Sequence, residues 1–145
     1  MILLLFLAVV QQPIAFNHKL HADQKIECVD CHQLVMKSRH SGMPTANLCM
    51  TCHAVIKKDS PEVKKIAQYK TERRPIPWVR LYQVPGFIYY NHERHVTAAG
   101  LACSTCHGAT GTEAVSVAYR QFTMGFCIDC HKERKAPNDC SVCHR

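Results

Sequence analysis

The chain has 145 residues, of which 20% are charged, and carries a formal net charge of +7. That length sets one domain, and it leaves little polypeptide for a conventional hydrophobic core if much of the chain serves a site. The basic balance alone would suit an acidic or nucleic-acid partner, but 10 Cys and 10 His in so short a chain point instead to bonds through sulfur and imidazole.

In chain order, residues 1–10 open with an apolar run, Ile-Leu-Leu-Leu-Phe-Leu-Ala-Val-Val after the first Met. This is about half of what a bilayer-spanning helix requires. It suits a signal-peptide core but lacks a basic n-region and a clear Ala-x-Ala site. Residues 1–13 are therefore read as a hydrophobic signal or anchor segment: a weak signal, part of a membrane helix, or a plug against a membrane partner. Phe16-Asn17-His18-Lys19-Leu20-His21 follows, then Cys28-Val29-Asp30-Cys31-His32, His40, and Cys49-Met50-Thr51-Cys52-His53. Ser60-Pro61-Glu62 reads as a helix start, with Val63, Ile66, Ala67 and Lys70 on one face to about Glu72. Pro75 and Pro77 end it. Residues 74–90 hold no Cys or His and are rich in aromatic and β-branched types. They read as an extended arm, offering a partner surface or covering the site with Trp78 and Tyr82.

Tyr90-Asn91-His92-Glu93-Arg94-His95 then repeats the aromatic-Asn-His-x-x-His pattern of residues 16–21, again about ten residues ahead of a Cys-x-x-Cys-His, here Cys103-Ser104-Thr105-Cys106-His107. Thr112 is expected to cap a second helix over roughly 113–120. Cys127-Ile128-Asp129-Cys130-His131 and Cys140-Ser141-Val142-Cys143-His144 complete the chain. Short helices are expected to carry the motifs at 47–58 and 124–134.

Five Cys-x-x-Cys-His motifs thus use all 10 Cys. The string is the attachment signature of c-type haem: two thiols bond to the porphyrin edge and the adjacent His ligates iron. Zinc sites do not require a His after each second Cys, and disulfide frameworks impose neither this spacing nor the His. Five haem c groups are expected, held by Cys28, Cys31, Cys49, Cys52, Cys103, Cys106, Cys127, Cys130, Cys140 and Cys143. At about 29 residues per motif, the haems themselves form the core, and the fold is mostly irregular with short α-helices.

The proximal ligands are His32, His53, His107, His131 and His144, which leaves His18, His21, His40, His92 and His95, one for each iron. Five-to-five is the inventory of bis-His ligation; the alternative is Met on one iron (Met36, Met43, Met50 or Met124) or an open position. One pentahaem domain, residues 14–145, divides into modules at about 14–60 and 88–145 joined by 61–87. The first holds two motifs and three spare His; the second holds three motifs and two spare His. One His of the first module, His40 or His21, must then ligate an iron of the second. With two propionates on each haem, the excess of Lys and Arg balances cofactor charge, and no nucleic-acid partner is expected.

The repeated His-x-x-His segments ahead of Cys-x-x-Cys-His resemble the class III multihaem cytochromes c. Residues 12–21, His40-Ser41-Gly42-Met43-Pro44, Ile76-Pro77-Trp78-Val79-Arg80 and Tyr90-Asn91-His92-Glu93-Arg94-His95-Val96 further resemble the pentahaem cytochrome subunit of alternative complex III and the related cytochrome of a quinone reductase complex. That resemblance implies electron transfer on the periplasmic, extracytoplasmic face of a membrane, within a quinol-linked respiratory complex. Its implied partners are iron–sulfur or molybdopterin-type subunits, integral quinol-binding subunits or a monohaem cytochrome c. The members of that family carry one N-terminal membrane helix, of which this chain shows only half. No catalytic residue is expected. The rival readings are a soluble periplasmic shuttle, an extracellular cytochrome filament subunit and a small multihaem reductase. The reductase needs an open iron position, often marked by a motif ending in Lys, whereas every motif here ends in His.

Overall fold

The computed structural model describes residues 10–144; most of the apolar segment expected over 1–13 lies outside the described residues. Seven short α-helices are found among them: α1 (His18–Asp23), α2 (Cys28–Cys31), α3 (Ala46–His53), α4 (Pro61–Thr71), α5 (Cys103–His107), α6 (Met124–Glu133) and α7 (Cys140–Cys143). Among the described residues there is no named strand, only an isolated antiparallel bridge between Ile88 and His144. No described helix is long and apolar enough to cross a membrane.

Every Cys-x-x-Cys pair falls on a helical turn. Residues three apart on a helix share a face, so this local geometry sets both thiols of a motif side by side. The turns are started by local polar groups. Thr45 Oγ1 accepts from Leu48 N at the head of α3, and Thr123 Oγ1 accepts from Phe126 N at the head of α6. Ahead of α2, Glu27 N donates to Asp30 Oδ2. Caps of this kind contribute about 1 kcal/mol each. The expected helices at 47–58 and 124–134 are present, though the first ends at His53.

α4 follows the expected bounds, with Pro61 at its first turn and Val63 and Ile66 buried. Its end is set before the prolines: Arg73 adopts φ 51°, and Arg74 N bonds back to Tyr69 O. Lys25, Lys57 and Lys135 take the same left-handed backbone. Glycine usually fills this position after a helix; a basic side chain there instead complements the negative helix end.

Few apolar side chains are buried by the polypeptide itself. Ile14, Ala46, Ile66 and Ile76 form a small cluster, with Cys49, Met50, Tyr69 and Trp78 packed on it. It ties α3 and α4 to the segments at 14 and 76, next to the second Cys-x-x-Cys-His motif. Trp78 Nε1 donates to Pro44 O (2.9 Å), and Gln12 exchanges two hydrogen bonds with the Val79 backbone. The 74–90 arm is extended as expected. It starts on this cluster and reaches Tyr82, whose ring lies edge-on to His107 and whose hydroxyl accepts from Tyr119 N. Trp78 therefore packs the small core, while Tyr82 covers a motif histidine.

The helix expected over 113–120 is not formed. Thr112 Oγ1 donates to Ala109 O within a 3₁₀ turn, Thr110–Thr112, and Glu113 leaves it in extended conformation. The sequence Ala-Val-Ser-Val-Ala-Tyr alternates rather than repeating every 3.6 residues. Extended backbone here carries Ser116 to His18 and Tyr119 to Tyr82.

Candidate haem sites

The aromatic-Asn-His-x-x-His repeat is reproduced in three dimensions. Phe16 stands edge-on to His18 (centroids 4.8 Å, 82°) and stacks on His21 (4.4 Å, 24°). Tyr90 stands edge-on to His92 (4.9 Å, 83°) and stacks on His95 (4.7 Å, 28°). His21 Nδ1 bonds to Asn17 O at 2.9 Å, and His95 Nδ1 to Asn91 O at 2.8 Å. One difference separates the copies. Asn17 Oδ1 caps α1 through Leu20 N, whereas Asn91 Oδ1 is buried with no hydrogen bond from the protein, and the chain winds as a π-helical turn, Arg94–Ala98. Such turns recur at functional sites, and this one carries His95.

Imidazoles from the spare set stand opposite imidazoles from the motifs. The ring centroids of His21 and His53 are 6.0 Å apart, those of His92 and His107 6.4 Å, and those of His95 and His131 6.0 Å. Two imidazole nitrogens each about 2.0–2.1 Å from a shared metal would place ring centres about 6.3 Å apart. His18 feels the charge of His32 and His21, and Ser116 Oγ lies 2.7 Å from its Nδ1. His21 therefore stands beside a motif imidazole of its own module.

The second ring nitrogens are also arranged for ligation. Nδ1 of His32 bonds to Gly42 O (2.8 Å), of His53 to Ile56 O (2.9 Å), of His92 to Arg39 O (2.8 Å) and of His131 to Pro137 O (2.5 Å). With His21 and His95, six imidazoles present Nδ1 to a carbonyl. A carbonyl cannot donate, so Nδ1 carries the proton and Nε2 keeps its lone pair for a metal. Burial, then neighbouring imidazoles, holds His18 and His107 below the ordinary His value, and burial chiefly does so at His92. Burial thus favours the neutral ring at these three, the form a metal needs. Backbone acceptors leave no mark in side-chain sequence, so these partners were not legible there.

All ten cysteines are free thiols. Burial is the largest cause raising the pKa of Cys28, Cys31, Cys49, Cys106 and Cys127. Neighbouring motifs add to it: Cys103 acts on Cys28, Cys52 on Cys31, Cys130 on Cys106 and Cys143 on Cys127. Burial, then Cys106 and Cys127, pushes Tyr90 up to about 12, placing its hydroxyl between the third and fourth motifs. Zinc would require four donors on one point; among the described residues no group of three or more His, Cys, Asp or Glu converges in that way. Paired thiols on a helical turn and imidazoles facing one another about 6 Å apart do fit haem c.

Residues 6–76 match the class III cytochrome c family, and residues 88–145 match cytochrome c7 and related cytochromes c. Together the two matches support a class III-type multihaem cytochrome c, and the short-helical, cysteine-rich fold, with no named strand among the described residues, is consistent with that compact kind. Over 93% of its length it is 26% identical to the multihaem cytochrome c subunit of menaquinone reductase from Nitratidesulfovibrio vulgaris, covering 77% of that protein. Covalently bound haem c supplies reversible one-electron transfer at iron, and electron transfer is accordingly the chemistry of this chain.

Proposed function

We propose that this chain is a pentahaem electron relay within a quinol-linked membrane respiratory complex, on its extracytoplasmic face. The observation that carries the relay is the set of three facing imidazole pairs, His21–His53, His92–His107 and His95–His131, each at the separation one shared iron would impose. The repeat supplies a fourth. His18 and His21 occupy the places of His92 and His95, so His18 is assigned to His32 as His92 is to His107. Ten thioether positions, Cys28 through Cys143, would hold five haems, with His32, His53, His107, His131 and His144 as proximal ligands and His18, His21, His40, His92 and His95 as distal ones.

The chain's own residues do the positioning. Backbone carbonyls fix the ring tautomers, Phe16 and Tyr90 space neighbouring ligand pairs, and burial favours the neutral ring at His18, His92 and His107. The thiol neighbours favour the order second, first, third, fourth, fifth motif along the relay: Cys52 beside Cys31, Cys28 beside Cys103, Cys106 beside Cys130, Cys127 beside Cys143. With every motif imidazole given a partner, no iron position is left open for a substrate, which argues against the reductase reading.

The likeness to a menaquinone reductase subunit supports membership of a complex. The partners inferred are an integral quinol-binding subunit and iron–sulfur or molybdopterin-type subunits, or a monohaem cytochrome c as acceptor. The test is blue-native electrophoresis of detergent-solubilised membranes from the source organism, stained for haem and probed for this chain. Migration in a large assembly that is reduced by added menaquinol is expected. Recovery as a small species in the soluble fraction would overturn the complex and leave a periplasmic shuttle.

A further inference from the structure

We propose that His40, from the first module, is the distal ligand of the iron whose proximal ligand is His144, so that one iron fastens the two modules together. The proposal rests on the reading above that each iron takes two imidazoles.

The neighbourhood of His40 leads to the fifth motif by a short series of contacts. The loop around it is stitched to residues 88–97: Arg39 O accepts from both His92 N and His92 Nδ1, Ser38 O accepts from Glu93 N, and Met36 O accepts from Thr97 Oγ1. Arg39 also reaches in the other direction, donating through Nη2 to Ile88 O (3.4 Å) and lying 5.7 Å over the Tyr89 ring. Ile88 in turn bridges to His144, Tyr89 N donates to Cys143 O (2.7 Å), and Phe87 stacks on the His144 imidazole (5.9 Å, 19°). The residue preceding His40 thus contacts the segment that is itself paired to Cys143-His144.

Elimination leads to the same residue. His21, His92 and His95 each face a different motif imidazole, and His18 takes the remaining one of its module. His40 is exposed and therefore available. Bis-His ligation requires one ligand to cross between modules, and the loop of His40 already bonds to the second module beside the segment paired to His144. Loss of that bond would leave the modules joined by the 74–90 arm, by hydrogen bonds among residues 36–39 and 88–97, and by those of His18 and Lys19 to Ser116 and Glu113.

The experiment uses ferric holoprotein and electron paramagnetic resonance, with the spin state counted per polypeptide. His40→Ala is expected to convert one iron in five to high spin and to create one cyanide-binding site per chain. His40→Met, which retains an axial donor and so preserves the fold, is expected to stay low-spin and gain a methionine–iron charge-transfer band. The identity of the iron is read in a Cys140→Ala/Cys143→Ala background, which lacks the fifth attachment site. There, adding His40→Ala is expected to create no further high-spin iron. High-spin iron that still appears in that background would overturn the assignment, because His40 would then serve another motif. Fully low-spin His40→Ala protein without a new absorption band would overturn it too. Failure of the underlying reading is distinct from both, since it would show in the unsubstituted protein, as high-spin iron for an open position or as a methionine–iron charge-transfer band for a Met ligand.

Discussion

Gly108 directly follows the proximal histidine of the third motif, and it offers a graded test of how that site is packed. Its backbone, at φ 68° and ψ −156°, lies in a region open almost only to glycine, where another residue is strained by about 1–3 kcal/mol. A Cβ built there would stand 2.7 Å from both Cγ and Cδ2 of Tyr119, a contact at the base of the ring rather than at a flexible tip. Relieving it moves Tyr119, whose backbone N–H holds the Tyr82 hydroxyl at 2.7 Å and with it the ring on His107. Crowding of this kind adds about 1–3 kcal/mol, so Gly108→Ala is expected to destabilise by about 2–6 kcal/mol. At a urea dependence of about 2 kcal/mol per molar, the unfolding midpoint of the holoprotein, followed through the Soret band, falls by roughly 1–3 M. Gly100 has φ 63° but nothing within 4 Å of a built Cβ; Gly100→Ala is expected to cost only the strain, about 1 kcal/mol. Gly86 has neither feature, and Gly86→Ala is expected to be neutral or stabilising by about 0.5 kcal/mol. A Gly108→Ala midpoint no lower than that of Gly100→Ala would refute the packing argument.

Two further outcomes follow from the first module. Ile14→Ala empties the most buried position of the described residues, 1% exposed, and is expected to lower stability by about 2–5 kcal/mol in equilibrium unfolding, with haem content unchanged by mass. Glu62 accepts from Lys65 and from Ala15 N (2.8 Å), and these bonds hold its carboxyl below the ordinary 4.5. An acid with a depressed folded pKa contributes stability above its unfolded pKa and loses it as pH falls through the folded value. The stability difference between wild type and Glu62→Gln is therefore expected to be full at pH 7 and to shrink progressively as pH falls below 4.5, measured by urea unfolding at each pH.

The cysteines and proximal histidines were legible because attachment chemistry is local: two thiols three apart and a neighbouring imidazole occupy five residues, and a helical turn presents them. The repeat around Phe16 and Tyr90 was legible for the same reason, as was α4, whose start at Ser60-Pro61 is written in adjacent residues. Which imidazoles face each other depends on where the chain crosses itself. The His count demanded one ligand between modules, but it takes the His21–His53 pairing, together with the bonds of Arg39 to His92 and Ile88, to separate His40 from His21. The carbonyls of Asn17, Arg39, Gly42, Ile56, Asn91 and Pro137 that set the ring tautomers carry no side-chain signature. The stretch at 113–120 was misread because a Thr followed by an acid resembles a helix cap, while the alternation of Val115 and Val117 supports extended backbone. The π-helical turn at Arg94–Ala98 had no sequence signal beyond being the second copy of a segment that is α-helical in the first.

The most direct test of the account is a count of haems and of iron ligands on one sample. Denaturing mass spectrometry of the holoprotein, paired with low-temperature electron paramagnetic resonance of its ferric state, supplies both. Polypeptide plus five covalently bound haems is expected, with every iron low-spin. Fewer than five haems, or a high-spin ferric signal in the unsubstituted protein, would contradict it.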